Sequence, residues 1–345
     1  MRIGFHNPYF NGFGGGERYT LTLASHWSKS HDVVLFWDDD IRKEALKRFD
    51  TDLSRVKIVQ NIFRGKNLLQ KLFNSRQYDL IFFLSDGSVP TTFAKHNILH
   101  FQVPFKSVEA NLFKLSRFRA IVCNSFFTKV NLDPIVSERA TVIYPPVNLE
   151  KLRPGKKKKQ ILSVGRFSTA KKMQILIETF RTGYKAGRLN NWSLFLAGGL
   201  LDSDSDFFSS LKTLSSGLPI KFLPNVSYSK LVELYGSSMI YWHATGYGES
   251  DPTQAEHFGI STVEAMASGC IPVVFDGGGL PEIVTHKKNG FLWSTTGELL
   301  DYTVALESKN VLRTTLQKEA IQTSKKFNEK KFIQSFNELL NKITK

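Results

Sequence analysis

Short apolar runs of strand length alternate along the chain with windows whose apolar residues recur every three or four positions. In the first half the runs are residues 2–5, 33–36, 80–84, 98–102, 120–123 and 141–143. Runs that are apolar throughout and bounded by turn residues suit strands buried on both faces of a parallel sheet. Between them, residues 17–27 set Tyr19, Leu23 and Trp27 four apart, on one helical face, and residues 126–132 form a shorter helical window. Tyr144-Pro145-Pro146 closes this series, because paired prolines continue neither a helix nor a central strand. Pro154-Gly155 and the lysines 156–159 read as a solvated linker. The pattern then restarts, with strands at 161–164, 194–197, 220–222, 239–242, 271–274 and 290–293 and a helix over 173–184. Residues 327–343 put Phe332, Phe336, Leu339, Leu340 and Ile343 on one helical face.

Two βα series in tandem predict an α/β chain of two doubly wound domains, 1–150 and 151–326. Residues 327–345 form a last helix with the option of packing on the first domain. Sheets of this kind carry sites at the carboxyl ends of their strands, so a ligand is expected in a central cleft faced by both domains.

Composition narrows the class. At 41% apolar and 22% charged, the 345 residues have ample core, which excludes disorder, collagen and coiled coil. No apolar stretch nears the ~18–20 residues of a membrane span. A strand begins at Arg2, leaving no room for a signal peptide, and two cysteines, Cys123 and Cys270, make no disulfide framework. A cytoplasmic setting is therefore expected. Forty-six basic residues against 31 acidic give a net charge of +15, and both halves are basic. That balance calls for an acidic partner: a phosphate-rich ligand, nucleic acid or an anionic lipid surface.

Three stretches carry candidate chemistry. The first, Asn11-Gly12-Phe13-Gly14-Gly15-Gly16-Glu17-Arg18, follows the first strand and opens a helix. Glycines there let backbone amides approach an anion at a positive helix end, and a tight turn is the plainer alternative. The stretch is neither Gly-x-Gly-x-x-Gly nor a Walker loop. The second, Gly165-Arg166-Phe167-Ser168-Thr169-Ala170-Lys171-Lys172, sets Arg166 and Lys171 between a strand end and a helix start. Cations oppose the dipole there, so an anion is expected to compensate them. The third, Glu256-His257-Phe258-Gly259-Ile260-Ser261-Thr262-Val263-Glu264, places two carboxylates eight apart around a helix start. Each can accept from a pair of ligand hydroxyls, or both can be ordinary acidic decoration of a helix.

Together with Glu264-Ala265-Met266-Ala267-Ser268-Gly269, Gly277-Gly278-Gly279-Leu280-Pro281-Glu282 and Asn289-Gly290-Phe291-Leu292, these stretches resemble the retaining glycosyltransferases of family 4, glycosyltransferase group 1. In the first half Leu99-His100-Phe101, Cys123-Asn124-Ser125 and Ile143-Tyr144-Pro145-Pro146-Val147 match the same pattern, in the same order. The variants Gly-Gly-Gly-Glu-Arg and Glu-His-Phe-Gly-Ile look like those of mannosyltransferases of lipid-linked oligosaccharide synthesis. The resemblance implies a GT-B fold and a nucleotide diphosphate sugar, GDP- or UDP-linked, as co-substrate, with no further cofactor and no metal. It implies that Arg166 and Lys171 contact the donor diphosphate, helped by amides at Phe258, Gly259, Ile260 and Ser261. Glu264 would take the ribose hydroxyls and Glu256 those of the sugar. Gly15 and Gly16 would approach the donor, and His100 would lie near the reacting carbon. Two residues depart from the pattern: Lys172 stands where glycine usually follows the lysine, and Gln102 and Val103 follow His100 where relatives differ. A core histidine is the other reading of His100.

The surplus positive charge also has a pattern. No acid lies between Asp52 and Asp79, while Lys57, Arg64, Lys66, Lys71 and Arg76 interleave with Ile62, Phe63, Leu68, Leu69, Leu72 and Phe73. Between Glu109 and Asp133 the same holds for Lys114, Arg117, Arg119 and Lys129 beside Leu112, Phe113, Leu115 and Phe118. Basic amphipathic segments suit the surface of an anionic membrane, at its inner face, where a lipid-linked or glycan acceptor would be met; packed helices with charged outer faces are the alternative. Asp38-Asp39-Asp40 follows a strand and reads as an acidic turn, and residues 241–254 as a loop over the sugar site or a plain loop. A nucleotide-sugar-binding protein without catalysis and a nucleic-acid-binding protein are the competing functions; the second lacks basic–aromatic platforms or a known module.

Overall fold

A computed structural model describes residues 1–65, 67–109 and 112–345. The chain divides into two compact units, Met1–Pro146 with Glu329–Lys345, and Val147–Asn328. Pro145-Pro146 thus ends the first run of the chain through unit one.

Unit one is built on a seven-stranded parallel sheet. Its strands are β1 (Arg2–His6), β2 (Asp32–Phe36), β3 (Lys57–Val59), β4 (Leu80–Leu84), β5 (His96–Phe101), β6 (Ala120–Cys123) and β7 (Ala140–Val142). They lie in the order β3-β2-β1-β4-β5-β6-β7. Residues of β1, β4 and β5 are almost wholly buried, as continuous apolar runs covered on both faces must be. One face is covered by the helix Gly15–Trp27 and by the returning helix Glu329–Thr344. Phe332 and Phe336 meet Tyr19 edge-on at 4.8 and 5.7 Å, and Trp27 Nε1 donates to Asn337 Oδ1 at 2.9 Å. The other face packs Phe83 against Phe63 and Phe118.

Unit two has six parallel strands: β8 (Lys158–Val164), β9 (Ser193–Gly198), β10 (Ile220–Pro224), β11 (Ser238–His243), β12 (Ile271–Phe275) and β13 (Phe291–Trp293). Their order is β10-β9-β8-β11-β12-β13. Each sheet runs outwards in two directions from its first strand, the doubly wound arrangement, with switch points between β1 and β4 and between β8 and β11.

Three elements differ from the sequence reading. Residues 57–59 form β3, an edge strand too short and too exposed to show as an apolar run. The lysine run is not all linker: Lys158 and Lys159 belong to β8, and Lys157 Nζ donates to Tyr235 O (3.0 Å) and Ser268 O (2.7 Å), capping the ends of two helices. The strand read at 239–242 runs one residue further, so that His243 closes buried β11 and the loop begins after it.

Candidate functional site

The candidate site of unit two forms at the carboxyl ends of β8, β11 and β12, beside the switch point. After β8 the chain turns sharply at Gly165. Gly198, at the end of neighbouring β9, has φ of +147°, and a Cβ there would stand 1.9 Å from Gly165 O; only glycine lets the strands end this close. Arg166 follows, its side chain exposed and without a partner among the described residues. The short turn Thr169–Lys171 then delivers Lys171, whose Nζ lies 2.8 Å from Glu256 Oε2. Lys172 adopts φ of +52°, the left-handed region in which a glycine is unstrained, which is the physical reason glycine suits this position. Its ammonium pairs with Glu249.

Glu256 is the centre of a small charged network. Its Oε2 also receives His243 Nε2 (3.1 Å), which comes from the end of β11. Burial alone would raise this carboxyl, but Lys171 and His243 outweigh it and hold it well below the usual carboxylate range. Glu256 is therefore an anion here. The loop that carries it rests on the second glycine run. Gly279 N donates to Glu256 O at 2.7 Å, and Gly278 has φ of +63° with no room for a Cβ, which would lie 2.1 Å from Glu256 O. The triglycine is thus a floor under the backbone that carries the carboxylate.

The helix Ile260–Ala267 begins at Gly259, whose φ is +113°. Its side-chain cap is absent, so the first-turn amides at Ile260 and Ser261 have no intrahelical acceptor. Phe258 is buried against Phe327 and anchors the start. Two tyrosines brace this helix. The Tyr241 hydroxyl lies 2.7 Å from Ser261 Oγ and 3.2 Å from Val164 O, so one group ties the helix start to the end of β8. Fully buried Tyr235 donates to Glu264 Oε2 at 3.0 Å. Burial, then the Glu264 charge, raise its phenol well above the usual range, so it stays a donor. Neither tyrosine, nor His243, stood out in the sequence; each is an apolar-looking strand or helix residue whose polar end matters only once β8, β11 and the helix are assembled.

Arg166, Lys171, Glu256, Phe258, Gly259, Ile260, Ser261 and Glu264 are thus gathered on unit two. Gly15, Gly16 and His100 lie on unit one. Gly15 and Gly16 open the Gly15–Trp27 helix, and the Glu17 carboxylate accepts from Gly14 N at 2.5 Å. Close packing explains Gly16: a Cβ there would stand 3.1 Å from Leu84 Cδ1 and 3.7 Å from Gln102 Cγ. Positive φ falls instead on Phe13, at +45°. His100, one residue before the end of β5, is fully buried, stacked on Tyr19 at 4.0 Å, with Nε2 bonded to Gln102 Oε1 at 2.8 Å. That oxygen only accepts, so Nε2 carries the proton. Burial lowers the imidazole to about 4, which keeps it neutral at pH 7. Asp38 accepts from Asn61 N and pairs with Arg64, and Asp40 pairs with Arg42. Among the described residues no three His, Cys, Asp or Glu side chains cluster to hold a metal ion.

The model of the family "Glycosyl transferases group 1" matches residues 146–323. The chain belongs to the group 1 glycosyltransferases. The "Glycosyltransferase Family 4" model matches residues 13–151. A Dictyostelium discoideum protein named GDP-Man:Man(3)GlcNAc(2)-PP-Dol alpha-1,2-mannosyltransferase is 32% identical over 213 residues, 56% of this chain and 41% of its own length. The chain spans two-fifths to a half of the curated relatives it matches first. The fold is that of solved GT-B glycosyltransferases. One from Rickettsia africae has a TM-score of 0.78 at 18% identity, covering 100% of this chain and 98% of its own. HepE of Anabaena, solved in complex with UDP and glucose, has 0.75 at 18% identity, covering 99% and 100%. Among the described residues, no helix of this glycosyltransferase is long and apolar enough to cross a membrane.

Proposed function

We propose that this glycosyltransferase moves a hexose of mannose or glucose type from a nucleotide diphosphate sugar to a glycan or lipid-linked acceptor, with retention of configuration and without a metal. The acceptor is met at the surface of an anionic membrane, on its cytoplasmic face. The observation that carries the donor reading is the pairing of a free, exposed Arg166 with Lys171 beside an uncapped helix start. Such an arrangement is a counter-charge awaiting an anion. A departing nucleoside diphosphate supplies that anion. As the bond from the anomeric carbon breaks, the diphosphate oxygen takes the electron pair, and Arg166, Lys171 and the amides of Gly259, Ile260 and Ser261 meet its charge. The acceptor hydroxyl adds to the same face of the sugar, and its proton passes to the departing diphosphate.

In this reading Glu264 accepts from the ribose hydroxyls, held in place by Tyr235. Glu256 accepts from sugar hydroxyls while Lys171 turns from it towards the diphosphate. Gly15 and Gly16 supply close backbone approach, and His100 acts through Gln102, which carries its hydrogen bond. The mannose reading is supported by the alpha-1,2-mannosyltransferases among the relatives, at 25–32% identity, and UDP is named for solved neighbours, which supports GDP or UDP as the nucleotide. Thermal-shift measurements with GDP, UDP and their sugars test the proposal: one nucleotide should raise the melting temperature by mass action. No shift with any of them, at concentrations that saturate related enzymes, would overturn it.

A further inference from the structure

Several large apolar side chains of unit one stand in water together. Leu68, Leu69 (77% exposed) and Phe73 (78%) project from the helix Leu68–Ser75, Leu112 and Phe113 (70%) from the helix Leu112–Ser116, and Phe93 lies between them. The two helices meet at Phe93. Its amide donates to Ser75 Oγ at 2.9 Å, at the end of the first helix. Arg117, just beyond the second, lays its guanidinium 5.8 Å from the Phe93 ring and donates to Ala94 O at 3.1 Å. The core does not need the projecting residues. It takes Ser75, Leu115 and Phe118 from the same segments and leaves the apolar row outside. A surface helix ordinarily turns a polar face to water; the Leu68–Ser75 helix puts Leu68, Leu69 and Phe73 there beside Gln70.

The charge around this row is one-sided. Residues 53–132 hold twelve Lys and Arg against three acids, Asp79, Asp86 and Glu109, which is nine of the chain's fifteen net positive charges. Lys71, Arg76, Lys95 and Lys114 each lie within three positions of a projecting apolar residue; Lys66 belongs to the same run but lies outside the described residues. Of the acids, Asp79 is engaged by the Arg2 amide at 2.7 Å. Two kinds of cover suit exposed Phe and Leu. A protein interface depletes lysine at its centre. A bilayer surface takes Phe and Leu to the acyl boundary while lysine and arginine stems reach back to the headgroup phosphates. The surround, rich in lysine and arginine with Glu109 the one acid within three positions of a projecting residue, matches the second.

We infer that the face of unit one centred on Phe73, Phe93 and Phe113 is a docking surface for an anionic lipid bilayer. The inference takes its purpose, though not its evidence, from the proposed lipid-linked acceptor: it brings the enzyme to the surface on which such an acceptor is held.

The test uses the full chain with sedimenting vesicles of phosphatidylcholine alone or mixed with phosphatidylglycerol, at low and high salt. Partition onto the mixed vesicles should exceed that onto neutral ones by about tenfold or more at low salt, and should fall as salt rises. The double variant Leu69→Gln, Phe73→Gln should lose about tenfold in partition with an unchanged melting temperature, because both side chains already stand in water. Tryptophan emission from Phe113→Trp should shift to the blue on mixed vesicles alone. Equal partition onto neutral vesicles, no loss in the double variant, or a self-associating wild type that the double variant renders monomeric would each overturn the inference. The nucleotide shift measured on the same samples separates the readings. A retained shift without vesicle binding refutes the docking surface alone, and vesicle binding without a shift refutes the donor reading alone.

Discussion

Replacing Arg166 by alanine separates chemistry from stability more cleanly than any other change in the site. The side chain is exposed and has no partner among the described residues, so its removal breaks no contact of the folded chain. Surface substitutions of this kind stay within about 0.5 kcal/mol. At about 2–4 °C per kcal/mol for a unit of this size, the melting temperature should move by no more than about 2 °C. If Arg166 meets the departing diphosphate, its loss removes one preorganised donor, worth about 2.7–4 kcal/mol, and turnover falls about 10²–10³-fold. Lys171→Ala is the informative companion. It should lose turnover on the same scale, but it also strips Glu256 of its 2.8 Å partner and leaves His243 to carry that anion. A hydrogen bond to a charged group is worth about 1.5–3 kcal/mol, so this variant alone should melt visibly lower. The assays are transfer of radiolabelled sugar under saturating donor and differential scanning calorimetry on the same preparations. Arg166→Ala with near-normal turnover, or with losses of turnover and stability in proportion, would refute the leaving-group argument.

Further outcomes follow from the braces and the strained backbone. Tyr241→Phe removes the group between Ser261 Oγ and Val164 O, and Tyr235→Phe the donor to Glu264; each should raise the donor Michaelis constant about 2–13-fold with a smaller change in kcat, since about 0.5–1.5 kcal/mol of positioning is lost. An unchanged Michaelis constant in both would show that neither positions the donor. Lys172→Gly relieves a left-handed residue, worth about 1–2 kcal/mol, at the cost of the pair with Glu249, worth about 1 kcal/mol or less, and the two oppose each other. Stability and nucleotide affinity should both stay near wild type, and a tenfold loss of affinity would instead put Lys172 on the phosphate. His100 has its folded pKa lowered from 6.5 to about 4, so the unfolded chain binds the extra proton between those values and stability falls as pH drops through that window. The loss reaches about 3 kcal/mol below pH 4. Urea unfolding followed from pH 7 to 4 should show a shallower decline in His100→Gln than in wild type, and identical slopes would mean that the imidazole is not buried as a neutral group.

Much of the architecture was legible because doubly wound sheets write their central strands as uninterrupted apolar runs. Residues 80–84 and 271–274 needed only length and flanking turns to be read, and the four-residue spacing of Tyr19, Leu23 and Trp27 gave the first helix. Edge strand β3 was missed for the converse reason: three half-exposed residues have no run to show. The lysines 156–159 misled because charge density suggests solvent, whereas Lys157 spends its ammonium on two helix-end carbonyls and Lys158 and Lys159 extend β8. In the site, the charged residues were legible by chemistry and spacing. The groups that hold them were not. Tyr235, Tyr241 and His243 act through partners 13–77 residues away, and the Gly277–Gly279 run, legible only as a motif, meets the Glu256 backbone over 20 residues back; such distances close only when parallel strands bring their carboxyl ends together.

In the proposed mechanism Arg166, Lys171 and the start of the Ile260–Ala267 helix grip the diphosphate of a nucleotide sugar. Crystals of the full chain soaked with GDP or UDP test it most directly. Diphosphate oxygens should lie within hydrogen-bonding distance of Arg166, of Lys171 freed from Glu256, and of the first-turn amides, with the ribose on Glu264. A nucleotide bound elsewhere, or Lys171 still on Glu256 with the helix start bare, would contradict it.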